Sequence, residues 1–454
     1  MSAMKNKARG NFGSKIGVVL ASAGSAVGLG NIWRFPYEAG QNGGAAFLLL
    51  YLGCVFLLGL PVMLSEFLIG RRAQANTMRA YMKLAPGTRW HWIGAMGVFA
   101  GCFILSYYGV VAAWTLEYVW NALCGRMQGL VSDQYVEAFN AFVASPIRPL
   151  VWLSLFMLMT HFVIVKGVRN GIERASKIMM PLLFIIMLIL VVRSLTLDGA
   201  EKGLRFLFHL DYEKINTSVV FNALGQAFFS LSLGMGCLCT YASYFDRNTN
   251  LVRTGVQVTL LDTFVAILAG TIIFPAAFAF GISPEAGPKL VFVILPNVFQ
   301  QMPGAYFWSL LFYILLTVAA WTSTISLHEV VTAFIHEELK FTRKRAAMLV
   351  TSVCFFFGIF CSLSFGVLLE FTLFGLSIFD LFDYISSKLL LPLGGMLISI
   401  FTGWYMDKHI LWEELSNHDQ IRFRLFKVYY FLIRYVTPPL IAFIFLREIG
   451  LVRF

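Results

Sequence analysis

The chain has 454 residues, of which 58% are hydrophobic and only 13% charged, with 44 phenylalanines. A soluble domain carries about 25% charge, so this composition excludes a soluble protein and marks an integral membrane one. The net charge of +11 is not a nucleic-acid signal, because the basic residues cluster in alternate loops, as membrane topology requires.

Apolar runs of 18 residues or more, each able to cross roughly 30 Å of hydrocarbon, recur along the chain. They predict an all-α integral membrane protein with 11 transmembrane spans, at 13–41, 44–70, 91–123, 149–166, 172–194, 217–243, 251–281, 305–337, 344–363, 371–404 and 424–449. Turn and charge signals bound most of them, including Asn42-Gly43-Gly44, Arg71-Arg72, Ala85-Pro86-Gly87 and the basic stretch from Lys340 to Arg345. Residues 1–454 read as a single transmembrane domain. The excess of Lys and Arg on one side places the N-terminus in the cytoplasm and the C-terminus outside.

The first span carries GSAVGLGNIWRFP at 24–36. It is not a cleaved signal, because it has no clear small-residue cleavage site and Arg34 interrupts it. Gly24, Gly28, Gly30 and Pro36 break a helix where no water replaces lost backbone bonds. Such a break survives only where it lines protein or a wet cavity. There its carbonyls can hold a cation and its N–H groups a carboxylate. Span 6 is broken as well, at Ser230-Leu231-Ser232-Leu233-Gly234-Met235-Gly236. The odd spacing of five spans inverts one half against the other, so spans 1–5 (13–194) and 6–10 (217–404) form a five-plus-five inverted repeat, followed by span 11. Paired broken helices in such repeats point to a central substrate site. Between spans 7 and 8, residues 282–304 are rich in Pro and Gly yet contain VFVILPNVF, which is too short to span and fits a re-entrant or lid segment.

Polar groups at membrane depth need a partner or a task. Asp262 in span 7 reads either as a sodium ligand, since hard cations take oxygen donors, or as a residue solvated near the cytoplasmic end. Asn31 reads as a cation ligand, an N-cap for the second half of span 1, or both. Ala319, Thr322 and Ser323 share one face of span 8; they offer a cation a carbonyl and two hydroxyls, or the hydroxyls bond back to the preceding turn. Arg34 and Asp383 stand toward the outer ends of spans 1 and 10 as a candidate gate pair, with Asp380 a rival. Glu66 is a buried acid suited to the free N–H groups of the span 6 break. Arg9 and Glu337 read as an inner ion pair or as solvated end charges. The glycines of 24–30 lack the spacing and preceding strand of a dinucleotide site. The seven histidines have no metal-ligand spacing. The seven cysteines have no framework spacing, and Cys237 and Cys239 point apart on one helix, so all read as packing residues. No nucleophile and base pair stands out, so the chain does not read as an enzyme.

These motifs carry a resemblance. GSAVGLGNIWRFPYEAGQNGGAAF, SEFLIGRR, SYYGVVAAW, GQAFFSLSLGMG, AAWTSTISLHEVV and RYVTPP resemble the neurotransmitter:sodium symporters, specifically their bacterial amino-acid transporters with the leucine-transporter fold, of the 11-span kind. The resemblance covers essentially the whole chain. It implies a first sodium site at the Ala26 carbonyl, Asn31, Ser230 and Asp262, completed by the substrate carboxylate. A second would use the carbonyls of Gly24, Val27 and Ala319 with the hydroxyls of Thr322 and Ser323. The substrate carboxylate would meet the N–H groups of Gly28, Leu29 and Gly30 and the Tyr108 hydroxyl. Its amino group would meet carbonyls of the two breaks, with Ala26 and Ser230 among the binding positions. Ile104, Tyr108, Phe229, Ser232, Met235 and Leu327 would line the side-chain pocket, with Phe229 as its lid. Arg34 and Asp383 would gate the outside; Arg9, Tyr244 and Glu337 would gate the inside.

Monoamine carriers of the family place an acid where Gly28 stands, so this chain favours ligands that bring their own carboxylate. Met235 suits a pocket that accepts apolar or aromatic side chains. Many relatives place Asn where Asp262 stands and take negative charge from chloride or from a glutamate one turn on, where this chain has Ala266. Asp262 then supplies the charge itself, and no chloride is expected. The expected function is sodium-coupled import of hydrophobic or aromatic L-amino acids by alternating access across a bacterial inner membrane. The partners expected are a small-molecule substrate and membrane lipid, with no nucleic acid. A non-transporting amino-acid sensor and an ion channel are the alternatives.

Overall fold

The structure, a computed structural model, describes residues 10–130, 132–281 and 290–451. Among them it is all-helical, with a single isolated bridge between Leu373 and Leu376. The main elements are α1 (Lys15–Ala26), α2 (Gly30–Gln41), α3 (Ala45–Ala73), α4 (His91–Leu123), α5 (Arg148–Val165), α6 (Val168–Leu195), α7 (Thr217–Ser230), α8 (Cys237–Ala242), α9 (Leu251–Ala279), α10 (Ala305–Glu338), α11 (Arg343–Leu363), α12 (Ile378–Tyr405) and α13 (Phe426–Glu448). Among the described residues nine helices are long and apolar enough to cross a membrane, and ten if α1 and α2, bent by 53°, form one span. The stretch expected as the sixth span is divided into 14 residues in α7 and 6 in α8.

Local chemistry sets several of these boundaries. Side chains of Ser14, Asn216, Asn250 and Thr342 accept from the first-turn N–H groups of α1, α7, α9 and α11, satisfying donors that a helix start leaves unpaired. The tenth span was expected from residue 371, but its helix begins at Ile378. Residues 373–376 close a bridged turn, and Ser377 caps the helix by accepting from Asp380 N at 3.1 Å. In the 282–304 stretch, residues 282–289 lie outside the described residues. Val291–Gln300 form a short apolar helix, whose Phe292 packs against Trp114, Tyr118 and Phe139.

Burial separates the bundle into two classes. The apolar windows of α4, α9 and α10 are each 78% buried inside the protein, against 39% for α5 and α6 and 33% for α13. The first three form the packed interior; the others turn most of their apolar surface outward, as lipid contact allows. The breaks between α1 and α2 and between α7 and α8 lie against the interior helices, with Val27, Leu29 and Leu231 at most 2% exposed.

Candidate functional site

The first break begins where Val27 turns extended (φ −66°, ψ 115°) after donating its N–H to Ala23 O at 2.7 Å. The second spans residues 231–236 and needs left-handed backbone at Ser232 (φ 54°), Gly234 (φ 79°) and Gly236 (φ 73°); the serine is the unusual member. Glu66, fully buried, stabilises this turn by accepting from Gly234 N at 2.8 Å and Cys239 N at 3.3 Å. The two breaks are tied together directly. Ser232 Oγ donates to Ser25 O at 2.9 Å, and Gln226 Nε2 donates to Gly30 O at 2.9 Å.

One oxygen cluster surrounds Asp262. Its Oδ2 accepts from Ser230 Oγ at 2.8 Å, and its Oδ1 from Asn31 Nδ2 at 2.8 Å. Tyr51 OH lies 3.1 Å from Ser230 Oγ and 3.5 Å from Asp262 Oδ2. Asp262 is fully buried, so the solvated-end reading does not hold. Among the described residues no ion pair involves it, and a buried carboxylate without a counter-charge is costly; the donor set fits a hard cation. Asn31 turns its Oδ1 back to Gly28 N at 3.1 Å rather than forward into α2, so it does not cap that helix. Tyr51, one aromatic among many in an apolar span, carries no signal in the sequence.

A second cluster joins α10 to the first break. Val27 O accepts from Thr322 Oγ1 at 3.3 Å and Ser323 Oγ at 3.2 Å, and Thr322 also bonds back to Ala319 O at 2.8 Å. The bond back to the preceding turn is therefore made, and the same hydroxyl also reaches the first break. Gly24 faces it, since a Cβ there would stand 3.4 Å from Thr322 Cβ.

Beside the clusters lies a small cavity of about 30 Å³. Ile104, Tyr108, Phe229, Ser232, Met235 and Leu327, the six expected side-chain positions, all line it, with Ala26, Gly28, Gly30 and Ser323. Tyr108 OH accepts from Leu29 N at 3.1 Å. Ser25 and Ser326 line it too and were not anticipated. Ser326 lay within reach of sequence reasoning, since it follows Thr322 and Ser323 on the same helical face.

Phe229 separates this cavity from a vestibule of about 340 Å³ that Arg34 and Asp383 both line. The two do not pair in this structure. Arg34 reaches Glu38 at 3.7 Å, four residues along its own helix, and its guanidinium stands 4.4 Å from the Phe229 ring centre. Asp383 accepts from Ser387 Oγ at 2.8 Å, and Asp380 from Ser377 Oγ at 2.7 Å. The open vestibule leaves each charge to a local partner. At the other end, Tyr244 OH donates to Glu329 at 2.7 Å, and Arg343 also holds Glu329 at 2.5 Å. Glu337 accepts from Asn76 N and Nδ2 at 2.8 and 3.0 Å. Arg9 lies outside the described residues. Glu329 and Arg343 were not foreseen as part of this closure. Phe12 seals it by packing on Tyr241, Tyr244 and Phe245.

Residues 9–138 and 145–453 match the model of the Sodium:neurotransmitter symporter family. The chain belongs to the sodium:neurotransmitter symporter family. This is a family of sodium-coupled transporters, not of enzymes. The symporter is 40% identical over 443 residues to the sodium-dependent transporter YhdH of Bacillus subtilis (strain 168), covering 98% of each chain. It is 27% identical over 394 residues to the sodium-dependent serotonin transporter of Drosophila melanogaster, covering 76% of this chain and 62% of that one. Its fold is similar to the crystal structure of MhsT in complex with L-phenylalanine, with 45% identity, a TM-score of 0.89, and coverage of 97% and 100% of the two chains.

Proposed function

We propose that this symporter imports hydrophobic or aromatic L-amino acids with sodium, by alternating access across a bacterial inner membrane. The observation that carries the reading is the meeting of two helix breaks, with two oxygen clusters beside one small cavity. Carbonyls and hydroxyls there suit sodium, and the N–H groups of Gly28 and Leu29, which here donate to Asn31 Oδ1 and the Tyr108 hydroxyl, are donors that a carboxylate can take over. The phenylalanine held by MhsT supports an amino acid as the ligand. The spans number eleven when each broken pair counts once, in an inverted five-plus-five arrangement with a cytoplasmic N-terminus and an outer C-terminus.

Two sodium ions are cargo. The first takes Asp262, Asn31, Ser230 and the Ala26 carbonyl, together with the substrate carboxylate. The second takes the carbonyls of Gly24, Val27 and Ala319 with Thr322 and Ser323. Asn31 turns its amide over to present Oδ1 to the first ion, which releases Gly28 N–H for the substrate. Outer closure brings Arg34 from Glu38 to Asp383 above Phe229; inner opening parts the contacts around Tyr244, Glu337 and Arg9. Sodium drives the cycle only through its preference for the outward state, since equal affinity for both states would shift nothing. The test is uptake into liposomes of labelled phenylalanine, tryptophan, leucine and valine under an imposed sodium gradient. Concentrative uptake that vanishes with choline supports the proposal, and uptake indifferent to the cation overturns it.

A further inference from the structure

A second cavity, of about 300 Å³, lies apart from the transport path, between the start of α9 and the segment before α13. Arg253 and Arg422, both exposed, line it together with Val252, Val256, Ile421 and Phe423 as its apolar residues. Among the described residues no carboxylate pairs with either arginine. The neighbouring acids are already engaged: Glu414 by Arg71 at 2.6 Å and Arg72 at 3.0 Å, and Glu413 by Arg72 at 2.9 Å. Asp419, three residues before Arg422, accepts from Trp412 Nε1 at 2.6 Å, and no other acid occurs between Asp246 and Asp262 or between Asp419 and Glu448.

Membrane depth gives the cavity its character. On α9, Arg253, Val256, Leu260 and Phe264 follow one another at three- and four-residue steps, which place them on one face. The first two line the cavity, and the last two are exposed apolar side chains beyond it. On the other wall, the exposed Leu425 and Val428 follow Arg422 and Phe423. A guanidinium pair therefore sits at the end of an outward-facing apolar strip. That arrangement suits a molecule with an anionic head and hydrocarbon tails, since guanidinium groups bind phosphate with paired N–H donors and basic residues at the cytoplasmic surface attract anionic lipid.

We infer that the cavity between Arg253 and Arg422 binds the phosphate headgroup of an anionic phospholipid from the inner leaflet. The inference rests on the orientation proposed above, in which this end of α9 is cytoplasmic. Its test is native mass spectrometry of the detergent-purified transporter titrated with phosphatidylglycerol, with phosphatidylethanolamine, and with inorganic phosphate. One phosphatidylglycerol should bind in preference to phosphatidylethanolamine. The R253Q/R422Q variant should bind it roughly 30-fold more weakly, from about fivefold per arginine. R253K/R422K should retain part of the affinity. Unchanged binding in the glutamine variant, equal binding of both lipids, or competition by millimolar inorganic phosphate overturns the inference. The single variants R253Q and R422Q, each expected near fivefold, supply the test if the double variant does not fold. Sodium-driven uptake by the same protein is a separate readout, so failure here and failure of the transport reading are told apart.

Discussion

Gly28 stands where both oxygen clusters and the cavity meet, and replacing it with alanine isolates what the close approach is for. A Cβ at this position would lie 2.4 Å from Ser323 Oγ, 3.1 Å from the Tyr108 hydroxyl and 3.4 Å from Ser323 Cβ. Ordinary contact begins near 3.5 Å, so the Ser323 hydroxyl must retreat by about 1 Å. That displacement breaks its 3.2 Å bond to Val27 O and withdraws one oxygen from the second cluster. Overpacking of this kind costs about 1–3 kcal/mol, which corresponds to roughly a 5- to 150-fold rise in the half-saturating sodium concentration. The assay is sodium-dependent binding of labelled phenylalanine to the purified protein, fitted for the sodium half-saturation. Because the one contact under 3.0 Å is with the Ser323 hydroxyl and the Tyr108 hydroxyl need give only a few tenths of an ångström, Gly28→Ala combined with Ser323→Ala should be little worse than Ser323→Ala alone, a non-additive pair. An unchanged half-saturation in Gly28→Ala, or two effects that simply add, would refute the reasoning.

Three further outcomes follow from the same geometry. Uptake should proceed undiminished in chloride-free medium, whereas Asp262→Asn, which removes the buried charge, should lose sodium-dependent binding there; strong chloride dependence of the unaltered protein contradicts this. Glu66→Ala leaves Gly234 N–H and Cys239 N–H unpaired at about 1–3 kcal/mol each, so the Tm in a thermal unfolding scan should fall by several degrees, with Glu66→Gln intermediate. Arg34→Ala removes the cation above Phe229 and the proposed partner of Asp383; equilibrium binding of phenylalanine should survive while uptake falls at least tenfold, and equal losses in both would argue against a gating role.

The glycine break at 24–30 was legible because lipid offers no water to a freed peptide group, and Glu66 because a buried acid needs donors. Both deductions concern a cost that any membrane helix faces, and the structure joins the residues they point to. The six pocket side chains came from resemblance, since helical periodicity says little about facing in α4 or α10, apolar around most of their circumference. The same uniformity hid Tyr51 and Ser25. Arg34 shows a different limit. The sequence reading pairs it with Asp383, but Glu38 stands four residues away on the same helix, and a local pair costs less to form than one across an open vestibule. The start of α12 was misplaced because the apolar run 371–376 conceals a turn that Ser377 then caps.

Equilibrium binding of labelled L-phenylalanine in sodium against choline, repeated as sodium binding with and without phenylalanine, bears most directly on whether one pair of helix breaks holds a metal ion and a zwitterion together. Shared ligation predicts strong coupling, with the same affinity ratio in both directions as linkage requires. Phenylalanine that binds as tightly in choline as in sodium would contradict it.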